Sequence, residues 1–154
     1  MLFARDIQGP LSSLLKQFDA AVGKNKESDM RSFAVFLSED SDEMEGKIKA
    51  LVEKEKISEN VPLTIVEDIA GPPAFKIAKD AEVTVLLYTK GKVVSNFAFK
   101  SGEMQDKHVK AILAQLPKIL PSEEELKQKR EAAERAKKVA DELKKSEEEK
   151  KDKK

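Results

Sequence analysis

Cysteine is absent from this 154-residue chain, and that absence removes disulfide frameworks, thiolate metal sites and cysteine nucleophiles together. Tryptophan is also absent and His108 is the single histidine, so a zinc site built on imidazoles lacks its ligands. Charge of one sign is missing as well. Lys+Arg and Asp+Glu are equal at 29 each, which leaves no net field to draw in nucleic acid or an anionic membrane. No apolar run approaches the ~18 residues a membrane span requires. The N-terminus shows no basic segment followed by an apolar stretch and a cleavage site. A soluble chain is expected, with no metal, no cofactor, no nucleic acid and no membrane partner. Leu2-Phe3-Ala4 starts directly after Met1, which leaves a strand without lead-in residues and points to a trimmed start. A native start at Met1 implies the cytoplasm; a removed leader implies export.

What is present is a sharp change of composition at Pro121. Before it, apolar runs alternate with amphipathic ones; from Ser122 on, about two thirds of the residues are charged and large apolar side chains nearly vanish. The expected organisation is one domain over 1–120 and a charged helical tail over 121–154, fraying at its end.

Within the first part, Leu2-Phe3-Ala4 reads as a strand. Leu11, Leu14, Leu15, Phe18, Ala21 and Val22 share one helical face, with Pro10 suited to the first turn and Gly23 to the end. Ser32 to Leu37 is a short, nearly continuous apolar run, as in a strand covered on both faces. Asp40 and Glu43 form a capping-box pattern ahead of Met44, Ile48, Leu51 and Val52 on the next helical face. Leu63 to Val66 is a third strand, and Gly71-Pro72-Pro73 breaks the chain into a loop. Val83 to Tyr88 and Val93 to Phe99 flank a turn with Gly91 at the positive-φ position, a β-hairpin. Val109, Ile112, Leu113 and Leu116 face the core from a last packed helix near Pro117. Strands alternating with helices require parallel pairing, and the hairpin adds antiparallel strands. The spacing therefore predicts an α/β fold: a mixed sheet of four or five strands, helices on both faces, and a charged C-terminal helix.

That element order, with Phe3-Ala-Arg-Asp-Ile-Gln8-Gly9-Pro10-Leu11 at its start, resembles the thioredoxin-like superfamily. In that family a Cys-Gly-Pro-Cys motif opens the helix after the corresponding strand. Gly9 and Pro10 are kept here, Gln8 stands where the nucleophilic cysteine would be, and Leu11 stands at the resolving position. Val83 to Tyr88, followed by the Gly91 turn, resembles the family's strand after its cis-proline, with Val83 in the place of that proline. A non-proline cis bond costs ~3 kcal/mol, so the Glu82-Val83 bond should be trans. The position of the family's buried acid holds Leu2. The resemblance covers about residues 1 to 120 and includes none of the catalytic residues, so the implied chemistry is absent. It also implies a former peptide-binding groove with walls from Ile7, Gln8, Pro10, Pro73, Phe75, Glu82 and Val83; the competing reading packs Phe75 and Ile77 into the core.

Other patterns have ordinary explanations. The acids Glu39, Asp40, Asp42, Glu43 and Glu45 fail a calcium loop, because the fifth and sixth positions from Asp40 are Met44 and Glu45; acids in a first turn favourably meet the helix dipole. His108 has no nucleophile beside it and reads as a structural histidine. Gly23-Lys24-Asn25-Lys26 lacks phosphate-loop spacing.

Ser122 and Glu125 form a capping box after Pro121. Acid-then-base pairs at i,i+4, Glu134 to Lys138 among them, contribute ~0.2–0.5 kcal/mol each. Leu126, Ala133, Ala136, Ala140 and Leu143 make a thin stripe, so the tail is a solvated spacer or a docking element, and the chain a monomer or a weak homodimer through it.

The functional expectation is a redox-inactive binding or structural module whose partner is a protein or peptide. Its rival is a fragment of a thiol-disulfide oxidoreductase or peroxidase relative with cysteines upstream of Met1.

Overall fold

Three short apolar runs pair in parallel: β1 (Leu2–Ala4), β2 (Ala34–Leu37) and β3 (Leu63–Val66). The computed structural model describes the backbone of residues 1–151 and the side chains of residues 1–141. Two antiparallel strands, β4 (Val83–Thr89) and β5 (Lys92–Phe99), complete a mixed five-stranded sheet in the order β3-β2-β1-β4-β5. β4 runs antiparallel to β1, with Ala4 opposite Val83 and Phe3 opposite Thr84. The α/β class, the mixed sheet and the charged C-terminal helix are as the sequence predicts.

Helix α1 (Leu11–Lys24) buries Leu11, Leu14, Leu15, Phe18 and Val22, the apolar face read from its period. It passes through Gly23 and ends at Asn25, whose Nδ2 donates to the Ala21 carbonyl at 2.8 Å. Helix α2 (Ser41–Glu55) is capped by Asp40, which accepts from the Glu43 N–H at 2.9 Å. The reciprocal half of the box does not form. Ser38 Oγ accepts the Asp40 N–H at 3.1 Å, and the Glu43 carboxylate pairs with Lys47 instead. Helix α3 (Asp106–Ala114) begins with a box between Gln105 and His108.

The strand order fixes where the helices lie. β1 to β2 and β2 to β3 step in the same direction across the sheet, so right-handed crossovers place α1 and α2 on one face. Buried side chains from α1, α2 and α3 accordingly join a single cluster with Leu2, Ala4, Ala34, Phe36, Val83 and Val85. On the second face Phe3, Val35, Leu37 and Leu86 form a separate cluster with Ile77 packed on it. The helical cover expected there consists of one 3-10 turn, Pro73–Phe75, within the loop between β3 and β4. The Phe75 ring lies 5.0 Å from that of Phe3 at a 49° tilt. Gly71, at φ +71°, closes the loop onto the sheet. A Cβ there would come within 2.8 Å of Ile77 Cδ1 and 3.0 Å of Leu37 Cδ1.

The hairpin loop is the residue pair Lys90-Gly91, and both residues have positive φ, 51° and 76°. That is the requirement of a type I′ turn, so Lys90 joins the expected Gly91 in the left-handed region.

Contacts divide the chain into Met1–Leu120 and Pro121–Lys154. The second unit contains α4 (Glu123–Lys151), opened by a complete box: Ser122 N–H donates to Glu125 Oε2 at 2.9 Å, and Glu125 N–H donates to Ser122 Oγ at 3.2 Å. Glu134 and Lys138 form an i,i+4 ion pair at 3.3 Å. Ala133, Ala136 and Ala140 are exposed. Leu143 lies outside the described side chains, and the expected fraying falls on residues 152–154, outside the described residues.

Candidate binding site at the end of β1

β1 is the strand at which pairing changes sense, parallel to β2 and antiparallel to β4. The chain leaving such a strand at its carboxyl end is where α/β sheets place ligands. Here that chain is Arg5 to Pro10, and each residue has a definite placement.

The ladder continues one residue past β1, with Arg5 N–H donating to the Glu82 carbonyl at 2.9 Å. This puts Glu82 and Val83 beside the start of the turn. Among the described residues no peptide bond is cis, so Glu82-Val83 is trans. Gln8 and Gly9 are exposed and Gly9 has φ +51°. Pro10 occupies the cap position of α1, and the Leu11 N–H donates to the Gln8 carbonyl at 3.2 Å. Leu11 itself is completely buried. Residues 8 to 11 are thus one solvent-facing turn and one core side chain: an amide at the surface and an isobutyl group in the core.

Asp6 organises the turn. Its carboxylate accepts the Ile7 N–H at 2.8 Å and the Gln8 side-chain amide, and pairs with Lys47 of α2 at 3.3 Å. Partial burial opposes ionisation of Asp6, but these three partners outweigh it and hold the carboxyl below its ordinary range. Lys47, shared between Glu43 and Asp6, is correspondingly held above the usual lysine range. A negative charge therefore sits under Gln8, near a helix start whose first turn contains no acid.

Arg5 turns to the loop between β3 and β4. Its guanidinium donates from Nε to the Ile69 carbonyl at 2.9 Å, from Nη1 to the Ala78 carbonyl at 3.1 Å, and to the Ala81 carbonyl. Bound this way, the loop covers the second face of the sheet, and Pro73 and Phe75 go with it. The candidate residues therefore fall into two groups. Glu82 and Val83 stand beside Arg5 and Ala4 at the β1–β4 junction, just ahead of the Ile7 to Pro10 turn in the chain, and Val83 is buried there, whereas Phe75 packs on Phe3 on the face away from α1, with Pro73 in the same 3-10 turn. Phe75 is 41% exposed, so it combines a core contact with an open edge.

Arg5, Asp6 and Lys47 are the residues that sequence reasoning passed over. The available signal was an Arg-Asp pair directly after an apolar strand, where no motif marks the partners. His108 is engaged elsewhere. Its Nδ1 accepts the Gln105 N–H at 3.1 Å and its ring stacks on Phe99 with centroids 5.0 Å apart. Among the described residues no group of three or more His, Asp or Glu side chains is arranged to hold a metal ion, and no helix is long and apolar enough to cross a membrane.

Compared with known proteins, the chain matches no family model, no curated protein and no solved structure.

Proposed function

We propose that this chain is a redox-inactive, thioredoxin-like binding module that presents the turn Ile7 to Pro10, beside Glu82 and Val83, to an extended protein or peptide segment. The pairing of Ala4 with Val83 carries this reading. It aligns the Gly9-Pro10 turn with the β4 entry, as in a dithiol active site, while the chain supplies an amide and a buried leucine where sulfur would be. Thiol exchange requires a thiolate with a depressed pKa at a helix start, and an amide has no equivalent reaction. What remains is recognition. The exposed Gln8 amide offers hydrogen bonds, Pro10 and Ile7 offer apolar contact, and the Asp6–Lys47 pair fixes the turn before any partner arrives, which lowers the ordering cost of binding.

A peptide-display selection on the intact chain, counter-selected on a Gln8→Arg/Glu82→Arg double variant that spares the buried Val83, tests the reading. Peptides that bind the natural chain and lose affinity for the variant are the expected result. Failure to recover any such peptide, or recovery only of peptides indifferent to both positions, contradicts it. Circular dichroism of the variant separates a lost surface from a lost fold.

A further inference from the structure

The carboxyl ends of the parallel strands form the site above, and a cavity of about 480 Å³ lies at the opposite end of the sheet. It opens between the end of α1, the segment leading into β2 and the segment leading into β3. Its volume falls in the range of small-molecule sites. Val22, Met30, Phe33 and Pro62 give it apolar walls. Charges of both signs also line it, Lys26 and Arg31 against Asp29 and Glu59. Among the described residues Lys26, Arg31 and Glu59 form no ion pair with one another or with any neighbour.

Ser32 supplies an independent observation. It lines the same cavity and is only 7% exposed, yet its hydroxyl has no hydrogen-bond partner among the described residues. The hydroxyl is not sealed from solvent, because among the described residues Thr84 Oγ1 alone is both buried and unpartnered. It is open to the cavity and offers a bound ligand a donor and an acceptor.

We propose that this cavity binds a small zwitterion with an apolar side chain, of the class of free aliphatic or aromatic α-amino acids. A purely anionic ligand would face Glu59 and Asp29 unfavourably, and a purely cationic one would face Lys26 and Arg31. A zwitterion presents a carboxylate to the Arg31 fork, whose planar donors match carboxylate geometry. Its ammonium faces Glu59, and its side chain enters the pocket walled by Val22, Met30 and Phe33. Ser32 Oγ hydrogen-bonds either head group. The site is separate from the Gln8 turn and does not depend on it.

Titration of the 15N-labelled full chain with L-leucine, followed by amide chemical shifts, is the test. Leucinamide, which lacks the carboxylate, and isocaproate, which lacks the ammonium, are the controls. The expected result is saturable shifts confined to residues 22–33 and 59–62, weakened about tenfold or more for each control, as the loss of a charge-assisted hydrogen bond implies. Arg31→Ala, an exposed change, should weaken L-leucine by a similar factor while the rest of the spectrum stays in place. Ser32→Ala provides a second variant that leaves the charges intact and should also weaken it. Absence of saturable shifts with both L-leucine and L-phenylalanine overturns the proposal. So does isocaproate or leucinamide binding as tightly as L-leucine, or a natural affinity retained by both variants.

Discussion

Arg5 Nε and the Ile69 carbonyl, 64 residues apart in sequence, meet at 2.9 Å. Together with the bonds to Ala78 and Ala81, that contact makes one side chain the clasp between β1 and the loop over the second face. Arg5→Ala should destabilise the first unit by ~1–2 kcal/mol, because three carbonyls return to solvent and the loop loses its anchor. Faster amide exchange should be confined to residues 69–82, with α1 and α2 unaffected. Urea unfolding and hydrogen exchange measure both. Uniform acceleration across the sheet would show that Arg5 has no special hold on the loop.

Thr84 stands opposite Phe3 in the sheet, is 5% exposed, and has a buried hydroxyl without a hydrogen-bond partner among the described residues. An isosteric methyl removes that desolvation cost and keeps the packing. Thr84→Val should therefore stabilise the domain by ~1 kcal/mol, read as a higher urea midpoint at unchanged slope. A loss of stability would show that the hydroxyl has a partner after all.

In a chain that begins at Met1, the terminal ammonium donates to the Leu86 carbonyl at 3.0 Å, and burial pushes its pKa down from 8.0 to about 6. The folded pKa lies below the unfolded one, so between these values the unfolded chain binds more protons. Stability is then full above pH 8 and is lost as the pH falls through 6. The difference is about 2–3 kcal/mol across that window. N-terminal acetylation keeps the N–H donor and removes the charge. The melting temperature of the acetylated protein should lose this pH dependence between 6 and 8 while the unmodified protein retains it.

Much of the fold was legible from residue pattern alone. Leu11, Leu14, Leu15, Phe18 and Val22 repeat at helical spacing, and all of them are buried. The hairpin announced itself through Gly91, since a tight turn needs a left-handed residue; Lys90 adopts the same region at the tip without being glycine. The distribution of helices over the two faces was not legible. It follows from the lateral order of the strands, which no local pattern encodes, and it leaves the second face to Ile77, Phe75 and the Arg5 clasp. Of the candidate site, Gln8, Gly9 and Pro10 were readable by position, whereas Asp6 and Lys47 are paired across 41 residues, a contact that only the folded chain creates.

On the function proposed above, residues 8 to 11 have the geometry of a dithiol active site from which the sulfurs are missing. A Gln8→Cys/Leu11→Cys double variant tests it directly by thiol titration and mass measurement after mild oxidation. The account predicts one intramolecular disulfide, a thiol at position 8 that reacts with alkylating reagent below the ordinary cysteine pKa of ~8.5, and disulfide-reducing turnover that the natural chain lacks. Two thiols that stay free, or that link only between molecules, would contradict it.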